Sequence, residues 1–262
     1  MSIATVSSLQ LILIIHNMEK IALIPARAGS ERVPNKNLLP LYGHPLLAYS
    51  IASALACPMI SKVIVSTDSE EIASAAMKYG AEVPGLRPKE ISQSNSPDIL
   101  WIKHALQEWI DFIGDEILLI LRPTNPLRST TTISKALDLV FNQKEWDSLR
   151  AVRPVREHPK KMWRLSSNFM EPYFPELNIQ TGTDSHSSPF QTLEKLLVQD
   201  ASLEICKIRT ILELNSLSGN KVIPFSMPEY EGFDINYLDD LVYLNYLIRE
   251  GKVALPSLKP RD

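Results

Sequence analysis

The reading of this chain turns on Ile21–Asn37, "IALIPARAGSERVPNKN". Ile21 to Ile24 run into Pro25 without polar alternation, as expected of a strand buried on both faces. The loop that follows carries Arg27, Arg32 and Lys36 around Gly29. Such charge adds little to a buried strand, so its concentration at the strand's end points to an anionic ligand. The loop is neither a G-x-x-x-x-G-K-[ST] phosphate loop nor a G-x-G-x-x-G dinucleotide turn. Gly29 and Ser30 can still present backbone N–H groups inward, while Arg27 and Lys36 supply the charge that a polyphosphate requires.

Outward from this strand, short β-branched runs alternate with helical patterns. "PLLAYSIASALA" (45–56) predicts a helix with proline at its start, "KVIVSTD" (62–68) a strand, and "SEEIASAAMKYG" (69–80) a helix stopped by Gly80. Helix "DILWIKHALQEWIDF" (98–112) leads to strand "EILLILR" (116–122), and "TISKALDLVFNQ" (132–143) leads to strand "SLRAVRPV" (148–155). Apolar strands each followed by a helix predict an α/β fold with a mostly parallel sheet and helices on both faces. Ligands of such sheets bind at the carboxyl ends of the strands. The pattern breaks after Pro154. Arg150, Arg153, Arg156, Lys160, Lys161 and Arg164 stand against Glu157 alone, and the polar "NIQTGTDSHSSPFQT" (178–192) has no period. This predicts an insertion at about 155–200, after which "ASLEICKI" (201–208) and "KVIPFSMP" (221–228) resume the α/β pattern and "NYLDDLVYLNYLIREG" (236–251) closes it as a helix.

Composition sets the limits. With 262 residues, 45% of them hydrophobic and 22% charged, the chain can bury one full core. A formal net charge of −3 lacks the basic excess of a nucleic-acid binder, so any anion must be met by local clusters. Cys57 and Cys206 lie far apart with no C-x-x-C spacing, which fits a reducing, cytoplasmic setting and argues against a disulfide framework or a zinc site. The apolar run Leu11–Ile15 is too short to span a bilayer and lacks the flanks of a leader. Residues 1–17 are therefore expected to be a disordered, dispensable extension of a domain covering 18–262, with no membrane association.

"PARAGSERVPNKN", "VIVSTDSEEI", "LRPKEIS", "LRPTNPLR" and "FDIN" occur in that order. In this the chain resembles the acylneuraminate cytidylyltransferases, or CMP-sialic acid synthetases, and their relatives acting on other nonulosonic acids. The likeness runs from Glu19 to Gly251. It implies a Rossmann-like nucleotide-diphospho-sugar transferase fold whose insertion serves dimerisation. It also implies a reaction in which the anomeric hydroxyl of an α-keto acid sugar attacks the α-phosphate of CTP and releases pyrophosphate. By this resemblance Arg27 and Lys36 hold the triphosphate, Asn37 helps to place the nucleotide, and Arg87 contacts the base with Ser96 nearby. Magnesium is the implied cofactor. In an extended "FDIN" segment Asp234 and Asn236 can face one ion together, although many relatives carry a second aspartate where Asn236 stands. Alternatively, Asn236 caps the last helix while Asp239 and Asp240 favour its positive end.

The sugar side departs from the family. Arg122 and Arg128 flank a Pro-rich turn, and many relatives have glutamine at Arg122. Relatives place a lysine near Lys161 against the sugar acid and use this region to reach a second subunit. Where sialic acid synthetases usually carry Arg-Gln and Asn-Gly, this chain has Phe190-Gln191 and Asp200-Ala201. The arginine expected to meet the sugar carboxylate is absent, and Arg122, able to bind a carboxylate in bidentate fashion, is the expected replacement. A cytidylyltransferase for an eight-carbon octulosonic acid or another sugar, and a nucleotide-binding protein without turnover, stay open as alternatives.

Overall fold

The structure, a computed structural model, describes residues 18–112 and 116–260. The expectation for residues 1–17 falls outside the described residues. In chain order the elements are β1 (Lys20–Pro25), β2 (Pro40–Leu41), β3 (His44–Pro45), α1 (Leu47–Leu55), β4 (Lys62–Ser66), α2 (Glu70–Lys78), α3 (Asp98–Glu108), β5 (Ile117–Ile120), α4 (Thr130–Phe141), β6 (Ser148–Pro154), β7 (Trp163–Ser166), β8 (Phe169–Pro172), β9 (Leu197–Lys207), α5 (Ile208–Leu214), β10 (Val222–Ser226) and α6 (Leu238–Arg249).

The central sheet has the order β10-β6-β9-β5-β1-β4. β1 runs parallel to both β4 and β5, with Ile21 opposite Lys62 and Leu118. The unbroken apolar runs follow from burial on both faces. On β1, Ala22 and Ile24 enter the cluster with Leu47, Ile72 and Ile133 from α1, α2 and α4. Ile21 and Leu23 enter the opposite cluster with Trp101, Ile102 and Ile211 from α3 and α5. β5 divides in the same way, Ile117 and Leu119 against Leu118 and Ile120. The α/β class and mostly parallel sheet expected from the sequence are thus found. Among the described residues no helix is long and apolar enough to cross a membrane.

The structure also differs from the reading in places. β9 pairs antiparallel with β5, Ile117 opposite Lys207. It enters between β5 and β6 after a long excursion rather than a helical crossover, and only a crossover returns the chain parallel. α1 begins at Leu47, since Pro45 instead pairs with Pro40 across a turn in which Tyr42 (φ 49) and Gly43 (φ 81) are left-handed. α3 stops at Glu108, where Trp109 packs edge-on against His104 at 4.8 Å and crowds Gly85, leaving no room for a Cβ there without movement.

The chain divides into two compact units: the residues up to Ala151 together with those from Asp200 onward, and Val152–Gln199. The second unit is held largely by polar contacts. Buried His158 accepts from the Lys160 N–H through Nδ1 (3.1 Å) and lies 3.1 Å from the Glu194 carbonyl through Nε2, with Phe190 edge-on at 5.8 Å. Asn178 donates to Thr192 Oγ1 at 2.8 Å and accepts from the Gln180 N–H at 2.8 Å. β7 and β8 form an antiparallel hairpin that turns at Ser167 (φ 53).

Candidate active site

A cleft of about 290 Å³ opens at the carboxyl ends of β1 and β5. Arg27, Ser30, Lys36, Asn37, Arg87 and Ser96 line it, and so does Arg122, two residues beyond the end of β5. Gly29 lines an adjoining hollow that shares Arg27 and Ser30. The fold therefore draws together residues from three separate loops.

Arg27, Lys36 and Arg87 hydrogen-bond to neutral oxygens. Arg27 Nη1 reaches the Ser92 carbonyl at 3.5 Å, and buried Asn37 donates to the Arg27 carbonyl at 2.9 Å, so Asn37 steadies the backbone that carries Arg27. Lys36 Nζ donates to the Ile235 carbonyl at 2.9 Å. Burial holds the Lys36 ammonium below the usual lysine range, while the nearby Asp234 charge opposes that shift. Arg87 is buried, donates from Nε to Ser66 Oγ (3.0 Å) and from Nη2 to the Ser66 carbonyl (2.7 Å), and lies 4.9 Å from the Trp101 ring centroid. Desolvation lowers it to about 10, which leaves it charged at neutral pH. The loop's own N–H groups are partly engaged. Ala28 donates to Asp68 Oδ1 at 2.8 Å and Ser30 donates to the Ala28 carbonyl at 2.9 Å.

Lys36 also links the cleft to the "FDIN" segment. Asp234 accepts from Asn236 Nδ2 through Oδ2 at 2.6 Å, whereas its Oδ1 is buried with no hydrogen-bond partner among the described residues. Asn236 Oδ1 accepts from Arg32 Nη1 at 2.9 Å. The helix cap is not Asn236: Asp240 Oδ2 takes the N–H groups of Asn236 and Tyr237, each at 2.7 Å. At Gly232, just before this segment, a Cβ would come within 2.3 Å of Asp200 Oδ2, so that side chain would have to shift to admit one.

The acceptor-side residues are arranged differently. Arg122 Nη2 donates to Asp98 Oδ2 at 2.6 Å and to Glu204 Oε1 at 3.0 Å, and Glu204 Oε2 is paired with Arg150. Burial alone would raise Asp98, but the Arg122 charge and the hydrogen bonds from Arg122 and Trp101 outweigh it and hold the carboxyl below its ordinary value. Arg128 is fully buried and structural. It donates to the Ser202 carbonyl and to Ser50 Oγ (2.8 Å), with burial lowering it to about 9. Lys161 and Gln191 lie in the second unit, where Lys161 Nζ is pinned to the carbonyls of Ser188 (2.7 Å) and His186 (3.2 Å) and Gln191 is exposed. Among the described residues no group of three or more His, Cys, Asp or Glu side chains could by itself hold a metal ion.

The sequence reading assigned no role to Asp68, Asp98, Arg150 or Glu204. A signal existed for the last two. Each is a lone charge within an apolar strand, "SLRAV" on β6 and "SLEIC" on β9, and a charge that the sheet buries requires a partner.

A model of the cytidylyltransferase family matches residues 21–196. The chain belongs to that family. As a cytidylyltransferase it is a nucleotidyl-transfer enzyme, as the motifs led us to expect. It is 33% identical over 244 residues to the CMP-N,N'-diacetyllegionaminic acid synthase of Legionella pneumophila, a match covering 91% of this chain and 100% of that protein. It is 45% identical over 119 residues to the N-acylneuraminate cytidylyltransferase of Escherichia coli O18:K1:H7, covering 45% of this chain but only 27% of that longer protein. The fold of the cytidylyltransferase is also that of a CMP:2-keto-3-deoxy-manno-octonic acid synthetase solved with CTP, with a TM-score of 0.60 and 12% identity over 89% of this chain and 99% of the other.

Proposed function

We propose that this cytidylyltransferase transfers CMP from CTP to the anomeric hydroxyl of a nonulosonic, sialic-acid-like sugar and releases pyrophosphate. The observation that carries the reading is the gathering of Arg27, Lys36, Arg87 and Arg122 along one cleft. It is supported by the end-to-end likeness to a CMP-legionaminic acid synthase. In this reading Arg27 and Lys36 bind the triphosphate and stabilise the charge that builds at the α-phosphorus. Asn37 orients the loop, Gly29 and Ser30 border the phosphates, and Arg87 and Ser96 meet the base. Arg122 is left for the acceptor's carboxylate; acceptor contacts at Lys161 and Gln191 are proposed from the family resemblance alone.

A magnesium ion fits Asp234, whose Oδ1 is a buried carboxylate oxygen without a donor among the described residues. Asn236 beside it would be the second ligand after a turn of its amide, whose oxygen here accepts from Arg32 while its Nδ2 donates to Asp234. When bound, the ion supplies Lewis-acid charge to phosphate oxygens. We further propose a cytoplasmic homodimer formed through the second unit, where Leu165, Phe169, Met170, Leu177 and Ile179 are all more than half exposed and exposed apolar surface of this kind marks interaction sites. The two free, buried cysteines are in keeping with a reducing compartment.

The test is sugar-dependent release of pyrophosphate from CTP with magnesium, measured over a panel of α-keto acid sugars. Release with none of them, alongside thermal stabilisation by CTP, would mark a nucleotide-binding protein instead. Asp234→Ala is expected to abolish the magnesium-dependent rate and Asn236→Asp to keep or raise it, read from a magnesium titration of turnover. Sedimentation of the purified chain checks the dimer.

A further inference from the structure

We propose that Asp98 is an internal counter-ion that competes with the acceptor's carboxylate for Arg122, and thereby determines how tightly a sugar acid is held. The inference rests on the proposed function, since it takes the acceptor to be a sugar acid. A guanidinium offers a carboxylate two bidentate edges, Nη1 with Nη2 and Nε with Nη2. Both edges include Nη2. In Arg122 that nitrogen already serves Asp98 at 2.6 Å and Glu204 at 3.0 Å, which accounts for both of its hydrogens. Nε is buried and has no hydrogen-bond partner among the described residues. Hence no incoming carboxylate can take Arg122 in bidentate fashion until one of the two acids leaves Nη2.

Burial decides which acid leaves. The Glu204 side chain is 3% exposed and also paired with Arg150, so its departure would strand two buried charges. The Asp98 side chain is 37% exposed, stands in the first turn of α3 and lines the cleft. Its other oxygen accepts from Trp101 Nε1 at 2.9 Å, a bond that remains available once Arg122 is released. Arg122 and Arg150 face Asp98 and Glu204, a quartet in which the two carboxylates already take both hydrogens of Arg122 Nη2, with the Arg87 charge also acting on Asp98. An added bidentate carboxylate must therefore replace an anion at Arg122 rather than join it. A neutral acceptor gains nothing by that exchange, so the pair makes the acceptor's negative charge a condition of tight binding.

The test is Asp98→Asn, which keeps an oxygen for Trp101 and removes the charge that competes for Arg122. The probe is N-acetylneuraminate or N,N'-diacetyllegionaminate, whichever releases pyrophosphate faster with the wild-type protein, together with its methyl ester. The Michaelis constant for the acid at saturating CTP, and its dissociation constant from the CTP-loaded protein by calorimetry, should both fall about threefold to tenfold in the variant. The ester should show no such gain. Unchanged or weaker binding of the acid overturns the inference, and so does an equal gain by the ester. If the wild-type protein turns over sugar acids and the variant binds them no better, the inference falls and the proposed function stands. If the wild-type protein releases pyrophosphate with no sugar acid, the proposed function falls and takes the inference with it.

Discussion

The two ends of the cleft hold their cations by opposite means. At the phosphate end, Arg27, Lys36 and Arg87 are fixed by the Ser92 and Ile235 carbonyls and by both oxygens of Ser66. At the other end, Arg122 is fixed by the carboxylates of Asp98 and Glu204, and Glu204 is paired in turn with Arg150. A carbonyl orients a cation without cancelling its charge, so the field stays available to a ligand. A carboxylate cancels it. The nucleotide side is therefore preorganised to receive an anion, whereas on the acceptor side an anion must first be displaced.

The largest expected effect would break the acceptor end. Glu204→Ala leaves Arg150 and part of Arg122 as uncompensated charge in the sheet, and removing one partner of a buried pair costs about 3–5 kcal/mol. Equilibrium denaturation should show a loss of that size. If Glu204→Ala is nearly neutral, the quartet contributes nothing to the fold and the contrast between the two ends loses its energetic basis.

The phosphate end should behave in the opposite way. Arg27→Ala and Lys36→Ala remove charges whose hydrogen bonds go to carbonyls, so stability should change little. Turnover should drop by roughly tenfold to a hundredfold, as expected for about 1.5–3 kcal/mol from one charge-assisted contact. Normal rates in both variants would mean that the triphosphate does not lie along this loop. Lys36 adds a pH signature. Because burial depresses its pKa, its charge is lost at a lower pH than that of a free lysine. The Michaelis constant for CTP should thus climb on the alkaline side, and Lys36→Arg should move that rise to higher pH.

The contrast also explains which parts were legible in the sequence. β1, β4 and β5 announce themselves, because burial on both faces demands unbroken apolar runs. The loop of Arg27 and Lys36 is equally visible, since a cation not matched by a nearby acid has to be matched by something else. What stayed hidden depends on pairing across the sheet. The direction of β9 is set by the route of the intervening Val152–Gln199 segment, which has no period to read. Arg122 alone suggests a free anchor, and only the fold reveals that Asp98, 24 positions earlier, and Glu204, 82 positions later, already occupy it. The exclusion of Asn236 as helix cap likewise depends on the orientation of Asp240, which spacing does not convey.

The smallest expected effect is the one that refines the comparison most. Asp68 is a carboxylate at the phosphate end, where an acid should oppose the ligand, yet it accepts from the Ala28 N–H at 2.8 Å. Its neighbours serve the same joint, since the Ser66 carbonyl takes both the Ala26 N–H and Arg87, and the Thr67 carbonyl takes the Arg87 N–H at 2.7 Å. The end of β4 thus ties the phosphate loop to the arginine expected at the base, and Asp68 acts by gripping backbone. If so, its hydrogen-bonding oxygen matters and its charge does not. Asp68→Asn, which retains an acceptor, should leave the Michaelis constant for CTP where it is or lower it slightly. Asp68→Ala, which frees the loop, should raise it about fivefold, the equivalent of about 1 kcal/mol for one hydrogen bond. Equal losses in both variants would show instead that the negative charge of Asp68 is needed, and would remove the distinction between acids that hold backbone and acids that hold cations.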